Sequence, residues 1–231
     1  MSVPKHIGII MDGNRRFAKR LMAKPWKGHE WGADKVEKII EWCDDLGVKE
    51  LTLYALSIEN FDRPKKELDY LFSIFKKEAE RLLTDERVYK NKIRVMFVGR
   101  LHLLPKDLQE VVYKVMEKTK KHDKFLLNFA VAYSGQAEIL DATIKIAKQV
   151  KEGKLNINKI NEELFKDNLE LKDCPDLIIR SGGEVRTSNF MIWQSAYSEW
   201  IFLEKMFPEF EKEDFMNCIQ EYENRQRRFG R

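Results

Sequence analysis

Six short runs of apolar and β-branched residues alternate with longer segments of helical spacing, and this alternation constrains the fold more than any other feature. The runs cover residues 7–11, 51–56, 93–98, 126–133, 177–180 and 200–203. The segments between them, 29–46, 65–83, 105–121 and 135–151, repeat apolar side chains every three to four residues. The pattern predicts one α/β domain over residues 1–231, with a central, mostly parallel six-stranded sheet flanked by helices. A short helix near 159–168 and a charged final helix within 211–231 complete the prediction.

Length and composition allow one large globular domain or two small ones. Of the 231 residues, 43% are hydrophobic, and the net charge of +4 implies a surface of mixed sign rather than a polybasic one. Three cysteines, Cys43, Cys174 and Cys218, are too few and too far apart for a disulfide framework or a CxxC metal site. No apolar run reaches 18 residues. We therefore expect a cytoplasmic protein that does not bind nucleic acid.

The first apolar run ends abruptly in Asp12-Gly13-Asn14-Arg15-Arg16. Asp-Gly-Asn alone is an ordinary turn signal, so a surface turn is one interpretation. A carboxylate repels a phosphate unless a divalent cation bridges them, whereas arginines attract it. The combination suggests metal-assisted handling of a phosphorylated substrate.

Two further runs end in similar chemistry. The second ends in Ser57-Ile58-Glu59-Asn60-Phe61-Asp62-Arg63, and the fifth leads through Arg180-Ser181-Gly182-Gly183 to Arg186-Thr187-Ser188. The carboxyl ends of parallel strands share one edge of a sheet, where α/β proteins bind ligands. This favours two anion pockets over three independent turns. GxxxxGK[ST] is absent, as is GxGxxG after the first run, which argues against a nucleotide hydrolase or dinucleotide enzyme.

These segments, with Trp193-Gln194 and Glu199, resemble the cis-prenyltransferase family, the undecaprenyl and dehydrodolichyl diphosphate synthase group, over essentially the whole chain. Arg15-Arg16 is similar to the archaeal and eukaryotic branch. The resemblance implies a Mg²⁺-dependent transferase that adds isopentenyl diphosphate repeatedly, in cis, to an allylic diphosphate primer and releases diphosphate. It points to geranylgeranyl or farnesyl diphosphate as primer. The expected product is a long polyprenyl diphosphate such as undecaprenyl diphosphate, a glycosyl-carrier lipid precursor, although a shorter product stays open.

The resemblance also implies roles for individual residues. Asp12 and Glu199 are expected to bind Mg²⁺, and Asn60 to act in the proton-loss step, where an amide more plausibly positions a proton acceptor. Residues expected to bind the allylic diphosphate are Gly13, Asn14, Arg15, Arg16, His29 and Arg63. Those expected to bind isopentenyl diphosphate are Arg180, Arg186 and Ser188. Other predicted substrate-binding residues are Phe17, Ser57, Ile58, Glu59, Phe61 and Thr187. Without the resemblance, His29 would be a helix-start residue, and Phe17 and Phe61 core residues.

Two positions bear on the completeness of the site. Pro25 stands where many family members have an arginine that assists diphosphate binding, which leaves Lys24 or Lys27 as substitutes. Arg228-Phe229-Gly230 matches the family's RxG motif, so Arg228 and Gly230 are expected to bind diphosphate and metal in their own or a partner's active site. With Asp12 also present, we predict a self-sufficient homodimer.

Two other interpretations compete with an enzyme. A non-catalytic accessory subunit of a heteromeric cis-prenyltransferase typically lacks the first-strand aspartate, which is present here. An RNA- or phospholipid-binding module would show one basic, aromatic-interleaved face rather than arginines at three strand ends.

The hydrocarbon product also bears on the fold. The family function implies a hydrophobic tunnel between sheet and helices, with segments 29–46 and 65–83 as candidate walls, although such faces are usually ordinary core. It also implies transient contact with a membrane surface for product release, so the protein is expected to be cytoplasmic or peripheral to a membrane.

Overall fold

The structure is a computed structural model that describes residues 3–225. Within them, six strands form one sheet in the order β3-β4-β2-β1-β5-β6, and every neighbouring pair is parallel. The prediction of a single α/β domain with a mostly parallel six-stranded sheet is confirmed, and the sheet is parallel throughout. The strands are β1 (His6–Ile10), β2 (Glu50–Ser57), β3 (Ile93–Val98), β4 (Phe125–Tyr133), β5 (Leu177–Arg180) and β6 (Glu199–Phe202).

Helices occupy the segments between strands, within one or two residues of the predicted bounds for the long ones. The short helix α4 is not among the predicted helices, because its five residues are too few to show a periodic apolar pattern. It begins after Asp85, whose carboxylate accepts a hydrogen bond from the backbone N–H of Arg87 at 2.9 Å. The helices are α1 (Asn14–Arg20), α2 (Gly28–Leu46), α3 (Lys65–Leu82), α4 (Glu86–Lys90), α5 (Lys106–Thr119), α6 (Gly135–Lys151), α7 (Glu162–Asn168) and α8 (Lys212–Asn224).

Alternate side chains along the strands enter two cores. Ile9 and Leu53 belong to the larger core together with buried residues of α2, α3 and α5, among which Ile39 of α2 is completely buried. Ile10 and Ile178 face a smaller core closed by the segment that follows β5. Burying each such side chain contributes roughly 2 kcal/mol. Strands buried on both faces explain why the sequence shows continuous apolar runs.

The state of the cysteines and the character of the helices bear on the setting in which the chain folds. Cys43 and Cys218 are buried, Cys174 is exposed, and all three are free thiols. Across residues 3–225, no helix combines the length and the apolar character needed to cross a bilayer.

The sheet order determines where the site lies. Ile10, the last residue of β1, is paired with Tyr54 of β2 on one side and with Arg180 of β5 on the other. The carboxyl ends of these three strands therefore lie side by side, as predicted from the loops that follow them.

Candidate active site

Asp12 lies at the centre of this edge, between the ends of β2 and β5. Its Oδ1 accepts a hydrogen bond from the backbone N–H of Gly13 at 2.6 Å, and its Oδ2 accepts one from Nη2 of Arg180 at 2.9 Å. Nη2 of Arg16 lies 3.4 Å from Oδ1, and the Asp12 side chain is 31% exposed. One accessible carboxylate is thus held between two arginines.

Hydrogen bonds and a close backbone approach fix the β5 loop against Asp12. The Ser181 hydroxyl accepts from the N–H of Asp12 at 3.1 Å and donates to its carbonyl at 2.9 Å. Gly182 has φ +91°, and a Cβ there would lie 3.0 Å from the carbonyl carbon of Asp12 and 2.8 Å from Nη2 of Arg16. Only glycine combines this φ with this approach, so the Gly-Gly pair brings the two loops together.

The β5 side of the edge contains the residues predicted to bind isopentenyl diphosphate. Arg180 is only 3% exposed, and its Nη1 donates to the carbonyl of Arg186 at 2.5 Å and to Oγ of Ser188 at 2.6 Å. Its Nε is buried and has no hydrogen-bond partner among residues 3–225. Arg186 is 59% exposed and is paired with Glu184 at 2.6 Å. All four residues line a cavity that begins at this edge of the sheet: Arg180, Arg186, Thr187 and Ser188.

The other side of the edge contains the residues predicted to bind the allylic diphosphate. Arg15 of α1 and Arg63, which follows β2, both contact Oε1 of Glu67 at 3.2 Å. His29 of α2 is near both arginines. Burial, followed by the charges of Arg63 and Arg15, lowers the pKa of His29 to about 4, so its imidazole is neutral at pH 7. Its Nε2 is buried without a hydrogen-bond partner in the described part of the chain.

Asn14 joins α1 to α2. Its amide nitrogen donates to the carbonyl of Met11 at 3.0 Å. A Cβ on Gly28 would lie 1.9 Å from the Asn14 carbonyl oxygen, so only glycine can begin α2 at this distance. The contact places the first turn of α2, and with it His29, beside the end of β1. Asn14 therefore shapes the site as well as lining its cavity.

The segment after β2 forms a short 3-10 helix, Ile58–Asp62, that orients Asn60. Oδ1 of Asn60 accepts from the backbone N–H of Ser57 at 3.4 Å, and the Ser57 side chain accepts in return from the backbone of Asn60. Ser57, Glu59, Asn60 and Arg63 line the cavity. The amide nitrogen is then the group of Asn60 that can donate to a substrate.

The structure does not place every predicted substrate contact in the cavity. Phe17 packs edge-on against Trp31 at 5.4 Å between ring centroids, and Phe61 packs against Phe72 at 5.9 Å. Ile58 lines a separate small cleft. None of the three is among the residues that line the main cavity. Gly13, Arg15 and Arg16 do not line it either, although Gly13 and Arg16 contact Asp12 and Arg15 shares Glu67 with Arg63.

Glu199 lies at the amino ends of the strands, whereas Asp12 lies at their carboxyl ends. It begins β6, pairs with Leu177 at the start of β5, and donates its backbone N–H to the carbonyl of Asp176. Its carboxylate accepts from Nη1 of Arg225 at 2.8 Å. Within one chain the length of β5 and β6 therefore separates Glu199 from Asp12, and the expectation that both acids bind Mg²⁺ stays a prediction.

The substitutes proposed for an arginine at Pro25 are both engaged elsewhere. Pro25 begins the 3-10 helix Pro25–Lys27. The ammonium of Lys27 pairs with Glu30 at 2.8 Å, and that of Lys24 lies 5.6 Å from the Trp26 ring centroid. Arg228 and Gly230 lie outside the described residues.

A cavity of about 900 Å³ begins at these strand ends and continues beneath α2 and α3. Asp12, His29 and Arg180 line its polar end. Ile93 and Phe125, the first residues of β3 and β4, line its far end, so the cavity follows the strands for much of their length. Its apolar wall includes Val36, Ile40, Phe75, Phe97 and Phe129.

Asp12 fits a magnesium site that substrate completes. Residues 3–225 contain no cluster of three or more His, Cys, Asp or Glu side chains that could hold a metal ion by themselves. Mg²⁺ commonly binds one or two carboxylates and takes its remaining oxygen ligands from substrate phosphates and water. A partly exposed carboxylate beside arginines matches that requirement.

Sequence comparison identifies the family. A family model described as putative undecaprenyl diphosphate synthase matches residues 10–230. Two archaeal proteins named tritrans,polycis-undecaprenyl-diphosphate synthase (geranylgeranyl-diphosphate specific) are 50% identical (Methanopyrus kandleri) and 48% identical (Pyrococcus horikoshii). Each alignment covers 99% of this chain, and 85% and 88% of the relatives, respectively.

Solved structures agree. Lavandulyl diphosphate synthase from Lavandula x intermedia, in complex with dimethylallyl diphosphate, has a TM-score of 0.93 at 35% identity over 99% of both chains. A probable undecaprenyl diphosphate synthase from Campylobacter jejuni has a TM-score of 0.82, also at 35% identity, over 100% of both chains. Fold, site and comparisons together define a prenyltransferase. The chain belongs to the cis-prenyltransferase family, and within it to the archaeal type.

Proposed function

We propose that the protein condenses several isopentenyl diphosphates, in cis, onto an allylic diphosphate primer and so makes a long polyprenyl diphosphate. The observation that carries the proposal is Asp12, which lies between two groups of arginines at one end of a cavity that also has a long apolar wall. The names of the relatives favour geranylgeranyl diphosphate as primer and an undecaprenyl product, a precursor of a glycosyl-carrier lipid. Farnesyl diphosphate is the alternative primer.

Breaking the allylic carbon–oxygen bond places negative charge on the departing diphosphate. Arg15, Arg16 and Arg63 would stabilise that charge from fixed positions, which is where preorganised donors lower a barrier most. Asp12 would hold Mg²⁺, which supplies further neutralisation of the diphosphate when bound. The neutral imidazole of His29 would add one hydrogen bond without adding charge.

The new carbon–carbon bond forms between the allylic carbon and isopentenyl diphosphate, which then loses a proton. Arg180, Arg186 and Ser188 would hold the diphosphate of isopentenyl diphosphate, so that its double bond faces the allylic carbon. The Asn60 amide would donate to the group that accepts the proton. An amide is itself a weak base, so this role is one of positioning.

The growing hydrocarbon would occupy the cavity under α2 and α3. Apolar side chains of both helices line it, and they would exclude water from the chain. A product of this kind also needs a route to lipid, and we propose a transient contact of the protein with a membrane surface at release.

We further propose that the enzyme is a homodimer that needs no separate accessory chain. Glu199 and Arg225 lie together at the edge of the sheet remote from Asp12, and the chain continues from there towards Arg228 and Gly230. Within a second copy, Glu199 and the RxG motif would be available to the neighbouring active site.

The test is incubation of the purified protein with radiolabelled isopentenyl diphosphate, Mg²⁺ and a series of allylic primers, followed by separation of the products by chain length. Long cis products from geranylgeranyl diphosphate are expected. A protein that stays inactive until a second, different subunit is added would contradict the proposal and support the accessory-subunit alternative.

A further inference from the structure

One buried carboxylate, Glu67 of α3, lies behind the primer side of the site. Its side chain is 4% exposed, and its Oε1 is 3.2 Å from Nε of Arg15 and 3.2 Å from Nη1 of Arg63. The two arginines come from different elements, α1 and the loop that follows the 3-10 helix after β2. Glu67 is therefore the shared contact of two residues that are far apart in the chain.

Two features of the fold compensate the negative charge of the buried Glu67 carboxylate. It is the third residue of α3, where the unpaired N–H groups of the first helical turn favour a negative charge. A buried carboxylate is costly unless its charge is paired, and here two guanidinium groups pair with one oxygen. The contact thus has an electrostatic reason on both sides.

The two arginines would separate without this carboxylate. Burial lowers the pKa of Arg63, the charge of Glu67 raises it, and the charge of Arg15 lowers it again, so the two guanidinium groups repel each other. The Arg15 side chain is 49% exposed and could turn into solvent. By pairing with both guanidinium groups, Glu67 offsets their repulsion and holds Arg15 against the protein.

We propose that Glu67 is a positioning residue that holds Arg15 and Arg63 as one unit for the diphosphate of the allylic primer. It affects the affinity for the primer and leaves the affinity for isopentenyl diphosphate unchanged, because Arg180 is held instead by Asp12, Ser188 and the carbonyl of Arg186. This inference rests on the proposed function, since it assigns Arg15 and Arg63 to the primer.

The main test compares Glu67→Gln with Glu209→Gln. Gln keeps the size of the side chain and removes its charge. Glu209 is the matched control, because it also pairs with an arginine of helix α1, Arg20 at 2.6 Å, but Arg20 has no proposed contact with either substrate. Glu67→Gln should raise KM for the primer roughly tenfold or more and change KM for isopentenyl diphosphate less than about twofold. Glu209→Gln should change neither. Equal rises in both KM values, or an unchanged primer KM, would overturn the proposal.

A second variant separates positioning from a loss of folding. Because Glu67 acts through Arg63 as well as through Arg15, the primer KM of the double variant Arg63→Gln/Glu67→Gln should rise by less than the product of the two single effects. Fully additive effects would contradict this mechanism, and thermal unfolding of each variant shows whether the fold is retained.

Direct binding keeps this inference separate from the proposed function. Titration with geranylgeranyl diphosphate, without isopentenyl diphosphate, should show weaker binding to Glu67→Gln than to wild type and to Glu209→Gln, even if wild type makes no polyprenyl product. An inactive wild type would contradict the proposed function. Equal affinities for geranylgeranyl diphosphate in all three proteins would contradict the role of Glu67.

Discussion

The Arg180 guanidinium donates a 2.9 Å hydrogen bond to the Asp12 carboxylate across the ends of β5 and β1. Arg180 is almost completely buried, whereas Asp12 is about one-third exposed. Only the carboxylate is therefore accessible to an entering cation, and the arginine stays in place through its bonds to Ser188 and the Arg186 carbonyl. The acid and the two proposed diphosphate pockets form one connected arrangement.

Asp12→Ala should reduce turnover by roughly 10²- to 10³-fold or more, because it removes the proposed metal ligand at the developing charge. The fold should be retained, since Arg180 keeps its other two partners. Product formation and thermal unfolding would be measured together. Near-normal activity would contradict the metal assignment.

Arg186→Ala should weaken the binding of isopentenyl diphosphate and leave the binding of the primer unchanged. Its side chain is 59% exposed, so its loss should hardly change the free energy of unfolding. We expect a rise of roughly tenfold in KM for isopentenyl diphosphate. An effect confined to the primer KM would reverse the assignment of the two pockets.

His29 should make the stability of the protein depend on pH. Its pKa is about 4 in the folded state against 6.5 for an ordinary histidine, so the unfolded chain binds the proton more readily between these values. The free energy of unfolding should not depend on His29 above about pH 6.5. As the pH falls from there towards 4, protonation of His29 in the unfolded chain should lower the free energy of unfolding by roughly 3 kcal/mol in total. Denaturant unfolding of wild type and His29→Gln across this range isolates the effect. A difference between the two proteins that does not vary with pH would contradict it.

Phe97 and Phe129 should limit the length of the product. Their rings stack at 5.3 Å between centroids, and both line the cavity along β3 and β4. Phe97→Ala enlarges the cavity and should shift the products to longer chains, which separation of radiolabelled products would show. Phe165→Ala is the control, because Phe165 packs against Trp193 and does not line the cavity. An unchanged product distribution in Phe97→Ala would argue against the cavity as the site of the growing chain.

Mixed dimers should show whether Glu199 acts in the neighbouring active site. Asp12→Asn and Glu199→Gln would be unfolded together and refolded as a mixture. If the partner supplies Glu199, one site of each mixed dimer has both acids, and about a quarter of all sites regain activity. Activity no higher than that of the separate variants would contradict the exchange.

The sequence predicts the fold closely, because strands buried on both faces appear as continuous apolar runs. Residues 93–98 and 177–180 are strands with the predicted bounds. The position of Glu199 follows from the same pattern, since an acid that precedes an apolar run lies at the start of its strand. The directions of the Phe17 and Phe61 side chains could not be predicted, because packing partners on other elements decide them. The role of Glu67 could not be predicted either. The sequence shows only that Arg63 and Glu67 are four residues apart, which is a common spacing, and gives no sign of the contact with Arg15.

The order β2-β1-β5 has a consequence for repeated catalysis. Under the proposed assignment, each condensation leaves the longer product attached to the diphosphate on the β5 side, whereas the next round requires that headgroup on the β1–β2 side. Neighbouring strands are about 4.8 Å apart, so the headgroup has to step sideways past Asp12 once in every cycle. The competition between this step and dissociation would then set how many units are added before the product leaves, independently of the space available to its tail.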